Sequence, residues 1–122
     1  MLVCNVSMRT PVTPTVAPVN SAVPVIGGTT QVGSTLLTTD GTWTGLPTPT
    51  YGYQWKRGGA AISGATSSTY LLVTADLAAT ITVTVTATNT AGSASATSAG
   101  VGPITAAPTT NYTATYLSQG IY

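Results

Sequence analysis

Thr80-Ile81-Thr82-Val83-Thr84-Val85-Thr86-Ala87-Thr88 alternates without a break. Successive side chains of an extended chain point to opposite faces, so Ile81, Val83, Val85 and Ala87 share one face and every Thr the other. Nine residues of period two predict a strand with one buried and one wet face. Asn89-Thr90-Ala91-Gly92 then supplies a turn, and Ser93 to Ser98 reads as a returning strand of small residues.

The same pattern extends upstream. Tyr51, Tyr53 and Trp55 alternate with Gly52, Gln54 and Lys56, and Gly58-Gly59 ends the run. Aromatic side chains of this size dominate core energetics, so this face is the heaviest apolar feature of the chain. Ser68 to Val73 reads as a further strand, with Tyr70 and Leu72 on one face and Leu71 and Val73 on the other. Gln31-Val32-Gly33 with Ser34 to Thr38 is an earlier one, and Val23-Pro24-Val25-Ile26 a short first strand that its Pro confines to an edge. About seven short strands at spacings of roughly 8–12 residues predict an all-β fold, a β-sandwich. Its predicted core comprises Tyr53, Trp55, Tyr70, Leu72, Ile81, Val83 and Val85.

Composition narrows the function. Of 122 residues, three are Lys or Arg and two are Asp; there is no His and a single cysteine, Cys4. A general acid–base pair needs two titratable groups within reach, and Asp40 and Asp76 stand far apart in the chain. A Ser or Cys nucleophile has no imidazole to activate it, and a zinc site has no ligand set. The expectation is a protein that is not an enzyme and takes no metal or cofactor. A net charge of +1 offers too few cations to neutralise a run of phosphates, so no nucleic acid is expected as partner. No run of 18 apolar residues spans a bilayer, so no membrane is expected either. Charge is replaced by hydroxyls: the chain has 27 Thr, a β-branched residue suited to the solvent face of a strand. Cys4 has no partner within the chain, so the fold is expected to hold by packing alone. Met1-Leu2-Val3-Cys4 is too short for a signal-peptide core, which predicts synthesis in the cytoplasm without a signal peptide.

Three stretches, Gly41-Thr42-Trp43-Thr44-Gly45, Tyr51-Gly52-Tyr53-Gln54-Trp55-Lys56-Arg57 and Ile62-Ser63-Gly64-Ala65-Thr66-Ser67-Ser68-Thr69-Tyr70, resemble the immunoglobulin-like domains of bacterial surface proteins and tailed-phage structural proteins. The resemblance continues through Thr74-Ala75-Asp76-Leu77 and from Ile81 to Ser93, and covers about residues 19–103. It implies an immunoglobulin-like β-sandwich in which Trp55 takes the place of the central tryptophan. Val83 or Val85 stands where the second cysteine of disulfide-bridged relatives would fall. The tyrosine corner of that superfamily is absent.

The expected organisation is therefore an extended Pro/Thr-rich arm (1–18), an immunoglobulin-like β-sandwich (19–104) and a Tyr-rich tail (105–122). Pro11, Pro14 and Pro18 hold the arm extended. Tyr112, Tyr116, Leu117, Ile121 and Tyr122 are too apolar for a solvated linker, so the tail reads as an anchor on another chain, against the plainer readings of a flexible tail or an extra strand on its own domain. With Leu2, Val3, Val6 and Met8 of the arm, these residues are the candidate capsid or subunit contacts. The resemblance implies a phage virion structural protein on the capsid exterior: a capsid decoration or head-fibre protein. It would attach through its ends to the major capsid protein or another virion protein, as a homo-oligomer, with a trimer as one form. Alternatives are an adhesion or glycan-binding module, with Trp43 stacking weakly on a host-surface glycan, and a tail-tube or baseplate component. The bland readings are a core lid for Trp43, a solvated hairpin tip for Lys56-Arg57, a helix-capping role for Asp76 and a plain turn for Asp40-Gly41.

Overall fold

The computed structural model describes residues 13–109. They form an all-β fold of antiparallel sheets: β1 (Val16–Ala22), β2 (Ile26–Gly27), β3 (Thr35–Thr38), β4 (Thr42–Leu46), β5 (Thr50–Arg57), β6 (Ala60–Ala61), β7 (Thr69–Leu71), β8 (Ile81–Asn89) and β9 (Gly92–Thr97). A single 3-10 turn, Thr74–Asp76, separates β7 from β8. The strands assemble as a ribbon β1-β4, a three-stranded sheet β2-β3-β7 and a four-stranded sheet β6-β5-β8-β9.

The alternation that predicts β8 is realised residue by residue. Ile81, Val83, Val85 and Ala87 are all fully buried. Opposite them on β5, Trp55 pairs with Val83 and Tyr53 with Val85. Leu36 from β3, Leu72 at the end of β7, and Ile104 close the core around Trp55, Ile81 and Val83. The side chains of the three- and four-stranded sheets thus meet in one apolar cluster. Trp55 lies at its centre, stacked on Tyr70 with ring centroids 5.6 Å apart, and its indole N–H donates to the Ser67 carbonyl at 2.7 Å. Burying an indole requires such an acceptor. Tyr53 and Tyr70, predicted as core, stand at its margin, half-buried, because each carries a hydroxyl that must find a polar partner.

The Thr face of β8 is less wet than its composition predicts. Thr82, Thr84 and Thr86 are half-buried, and hydroxyls pair across to β9, Thr84 with Thr97 at 2.9 Å and Thr86 with Ser95 at 2.8 Å.

Two expected boundaries shift. The first strand runs from Val16, inside the segment assigned to the arm, and pairs with β4 from Val16↔Leu46 to Ala22↔Thr42. Pro18 sits where the ladder is irregular, between Val16 and Val19. Val23-Pro24-Val25, expected to be that first strand, instead connects β1 to β2. At the other end, Thr105 still belongs to the body: its N–H donates to Thr30, and its carbonyl accepts from Val32.

The chain enters and leaves at opposite ends of β8. Val16 accepts from the Asn89 side chain at 2.8 Å, whereas Val101 pairs with Ile81 and Ile104 donates to the Ala79 carbonyl. Eight residue steps separate the two ends of that strand, about 26 Å at the usual rise.

Candidate functional site

Four of the five charged side chains lie among the described residues, and three of them are held in two polar clusters. The first is built on the turn before β4. Asp40 accepts the Tyr53 hydroxyl through Oδ1, and the Asp40 carbonyl accepts the Trp43 indole N–H at 2.7 Å. The carboxylate favours the neutral phenol as donor, and burial adds to this, so the Tyr53 pKa is pushed up to about 12. Gly41 permits the arrangement: its φ is +82°, and a Cβ there would stand 2.5 Å from the Ala22 carbonyl oxygen. Asp40-Gly41, expected to be a plain turn, therefore also ties Tyr53 and Trp43 to the β3–β4 corner.

Trp43 is a strand residue of β4. Gly45 is required by crowding: a Cβ there would approach the Asn89 side chain, Pro49 and the Pro18 backbone at 3.1–3.3 Å. The Trp43 ring is half-buried and inclined at 42° to Tyr51, with centroids 6.4 Å apart. Its N–H is already committed to the Asp40 carbonyl and is not free to bond a ligand.

The second cluster surrounds Asp76, which is fully buried. Oδ1 accepts from Arg57 Nε at 2.6 Å; Oδ2 accepts from the Tyr70 hydroxyl at 2.9 Å and from the Val73 N–H at 2.8 Å. The expected capping contact is present as the Val73 bond. Sequence reading missed Arg57: it is drawn off the hairpin tip onto the carboxylate, which holds the guanidinium further into its charged state. Burial, then the bond to Asp76, raises the Tyr70 pKa. Neither cluster pairs a free base with an exposed nucleophile, and among the described residues no three metal-ligating side chains come together. No helix of the described residues is long and apolar enough to cross a membrane.

An open cleft of about 240 Å³ lies between β7 and the Ile62–Ser67 loop. Gln54 Nε2 holds the loop by donating to the Ile62 carbonyl at 2.8 Å, while the Trp55 N–H donates to the Ala65 carbonyl at 2.9 Å. Next to the cleft, Leu37 and Leu71 are exposed on the outer face of the three-stranded sheet. No charged side chain lines it.

The predicted contacts Leu2, Val3, Val6, Met8, Tyr112, Tyr116, Leu117, Ile121 and Tyr122 all lie outside the described residues, as does Cys4. No protein-family model, curated protein or solved structure matches the chain.

Proposed function

We propose that the chain is a non-enzymatic structural protein of a phage virion, a capsid decoration or head-fibre protein that displays one immunoglobulin-like β-sandwich. In this reading the three- and four-stranded sheets are the two layers of the sandwich, with Trp55 as the central tryptophan and Val83 opposite it in place of a cysteine. The arm (residues 1–15 once β1 is set apart) is the shell contact, through Leu2, Val3, Val6 and Met8 to the major capsid protein. The tail, through Tyr112, Tyr116, Leu117, Ile121 and Tyr122, is a contact between subunits.

The observation that carries the reading is where the described body begins and ends. The first strand starts at the Asn89 end of β8 and the last paired residues lie at its Ile81 end, about 26 Å apart along that strand, on a body whose exposed surface is hydroxyl-rich and nearly free of charge. That arrangement lets one end grip a shell while the body stands away from it. Immobilising each flank costs about 1–2 kcal/mol per backbone residue, so attachment at several points favours a homo-oligomer. A tail-tube or baseplate location uses the same contacts. The glycan-binding alternative ranks below it, since Trp43 is half-covered and its N–H is occupied.

Mass spectrometry of purified virions tests the proposal: the chain should be a stoichiometric particle component. Virions without it would overturn the reading. On particles stripped of the protein, a Leu2→Ser/Val3→Ser/Val6→Ser variant should fail to rebind while the full chain succeeds. Electron microscopy of the rebound particles separates capsid from tail.

A further inference from the structure

β7 is an edge strand: among the described residues it has β3 on one side and no strand on the other. Its register decides which groups face that empty side. Thr38 donates to the Ser68 carbonyl and Leu72 to the Ser34 carbonyl, so Ser68, Tyr70 and Leu72 turn their peptide groups toward β3. In an antiparallel ladder the intervening residues turn theirs away. The N–H and C=O groups of Thr69 and Leu71 therefore point outward over the cleft that the Ile62–Ser67 loop borders. Edges of this kind are commonly blunted by charge, proline or a bulge. β7 and its cleft lining carry none of these.

An apolar face adjoins the edge. Val25, Leu37, Leu71 and Val73 are between 42% and 62% exposed. Leu37 and Leu71 lie diagonally on the outer surface of β3 and β7, because Leu37 stands opposite Thr69 and Leu71 opposite Thr35. A strand added to β7 would complete a hydrogen-bonded ladder and also shelter this face.

The chain itself contains a segment with the matching pattern. In Asn111-Tyr112-Thr113-Ala114-Thr115-Tyr116-Leu117, Tyr112, Ala114 and Tyr116 alternate with Thr113 and Thr115. The segment has no charge, no Gly and no Pro. It is therefore compatible with an uncharged edge and can present a two-tyrosine face to the exposed leucines. The connector indicates whose edge it reaches. Ala106-Ala107-Pro108-Thr109 is exposed throughout, Pro108 holds Ala107 extended, and no Gly or Asn occurs before Asn111 to turn the chain back. The described chain thus ends as an exposed, extended run with nothing of its own body covering it.

We propose that the free edge of β7 takes residues 111–117 of a second copy as an added strand, with Tyr112 and Tyr116 laid over Leu37 and Leu71. The inference rests on the assignment of the tail as a subunit contact and names its receptor.

Sedimentation equilibrium of the full chain and three variants tests it. The full chain should self-associate with rising concentration. Thr69→Pro removes an edge-facing N–H without touching the β3 ladder, and Leu71→Lys charges the apolar face. Each of these, and the double variant Tyr112→Ser/Tyr116→Ser, should weaken association at least roughly tenfold. Leu71 is exposed, so Leu71→Lys keeps the test open should Thr69→Pro fail to fold. A full chain that stays monomeric, or an association indifferent to all three variants, overturns the proposal. So does a lowered melting temperature of the tyrosine double variant under monomeric conditions, which would place the segment on its own domain. Virion mass spectrometry stays independent: self-association through β7 in a chain absent from virions would refute the virion assignment and leave this interface standing.

Discussion

Arg57 on β5 and Asp76 in the turn before β8 are 19 positions apart and joined through Nε and Oδ1 at 2.6 Å. The contact fastens the connection between the two large sheets to the end of β5. Asp76 also serves Tyr70 and Val73, so its removal orphans three donors at once. Asp76→Ala should destabilise the fold by about 3 kcal/mol, since breaking a buried pair leaves partners without compensation. Arg57→Ala should cost less, because the guanidinium is partly exposed and the carboxylate keeps two other donors. Urea denaturation of the two variants measures the difference.

The Tyr53–Asp40 bond gives stability an alkaline limit. The folded Tyr53 pKa, about 12, lies above the ordinary value of 10.0. An unfolded chain thus loses the phenolic proton first as pH rises, and stability declines through the window from 10 to 12. Below that window the contribution is complete. Tyr53→Phe should flatten this part of the pH profile and cost about 1 kcal/mol at neutral pH. Tyr70, raised in the same direction, contributes a share that Tyr53→Phe leaves in place.

Register along β8 can be checked by charge. Val83→Asp puts a carboxylate beside Trp55 with no partner, and should unfold the domain or cost about 4 kcal/mol. Thr84→Asp breaks only the hydroxyl contact to Thr97 at a half-buried site and should cost about 1 kcal/mol. The reverse ranking in thermal melts would shift every inward assignment on the strand by one residue.

Two glycines with similar backbone angles should respond differently to alanine. Gly41 and Gly33 have φ of +82° and +90°, but a Cβ at Gly41 meets the Ala22 carbonyl at 2.5 Å, while one at Gly33 meets nothing within 4 Å. Gly33→Ala should cost about 1 kcal/mol of backbone strain. Gly41→Ala should cost about twice that or more and should also disturb Trp43 fluorescence, since Asp40 next to it holds that indole.

Local periodicity was the part of the fold most open to sequence reading. Ile81 to Ala87 and Trp55 follow from alternation alone, as do Leu72 facing inward and Leu71 outward. Leu36 is buried and Leu37 exposed, a choice that adjacent leucines cannot express. Ile104 stands behind Pro103 without a pattern of its own, and enters the core through bonds to Ala78 and Ala79. Prolines marked the first segment as extended, correctly for Val16 to Pro18, but extension does not reveal a partner, and β4 supplies one from far along the chain. The two polar clusters were hidden for the same reason. Asp40 and Tyr53, like Arg57 and Asp76, meet only in three dimensions; the scarcity of charge was the one available signal, since a carboxylate kept in so uncharged a chain needs partners.

Chain passage from the Asn89 end of β8 to the Ile81 end has a mechanical consequence. Tension applied between the arm and the tail runs along the strands. The β1–β4 ladder and the bonds joining Thr105 to Thr30 and Val32 are then loaded in shear. Bonds loaded in shear carry force together, whereas bonds peeled from one end fail in sequence. A body threaded in this way resists being pulled lengthwise, and it does so without a covalent cross-link between its sheets.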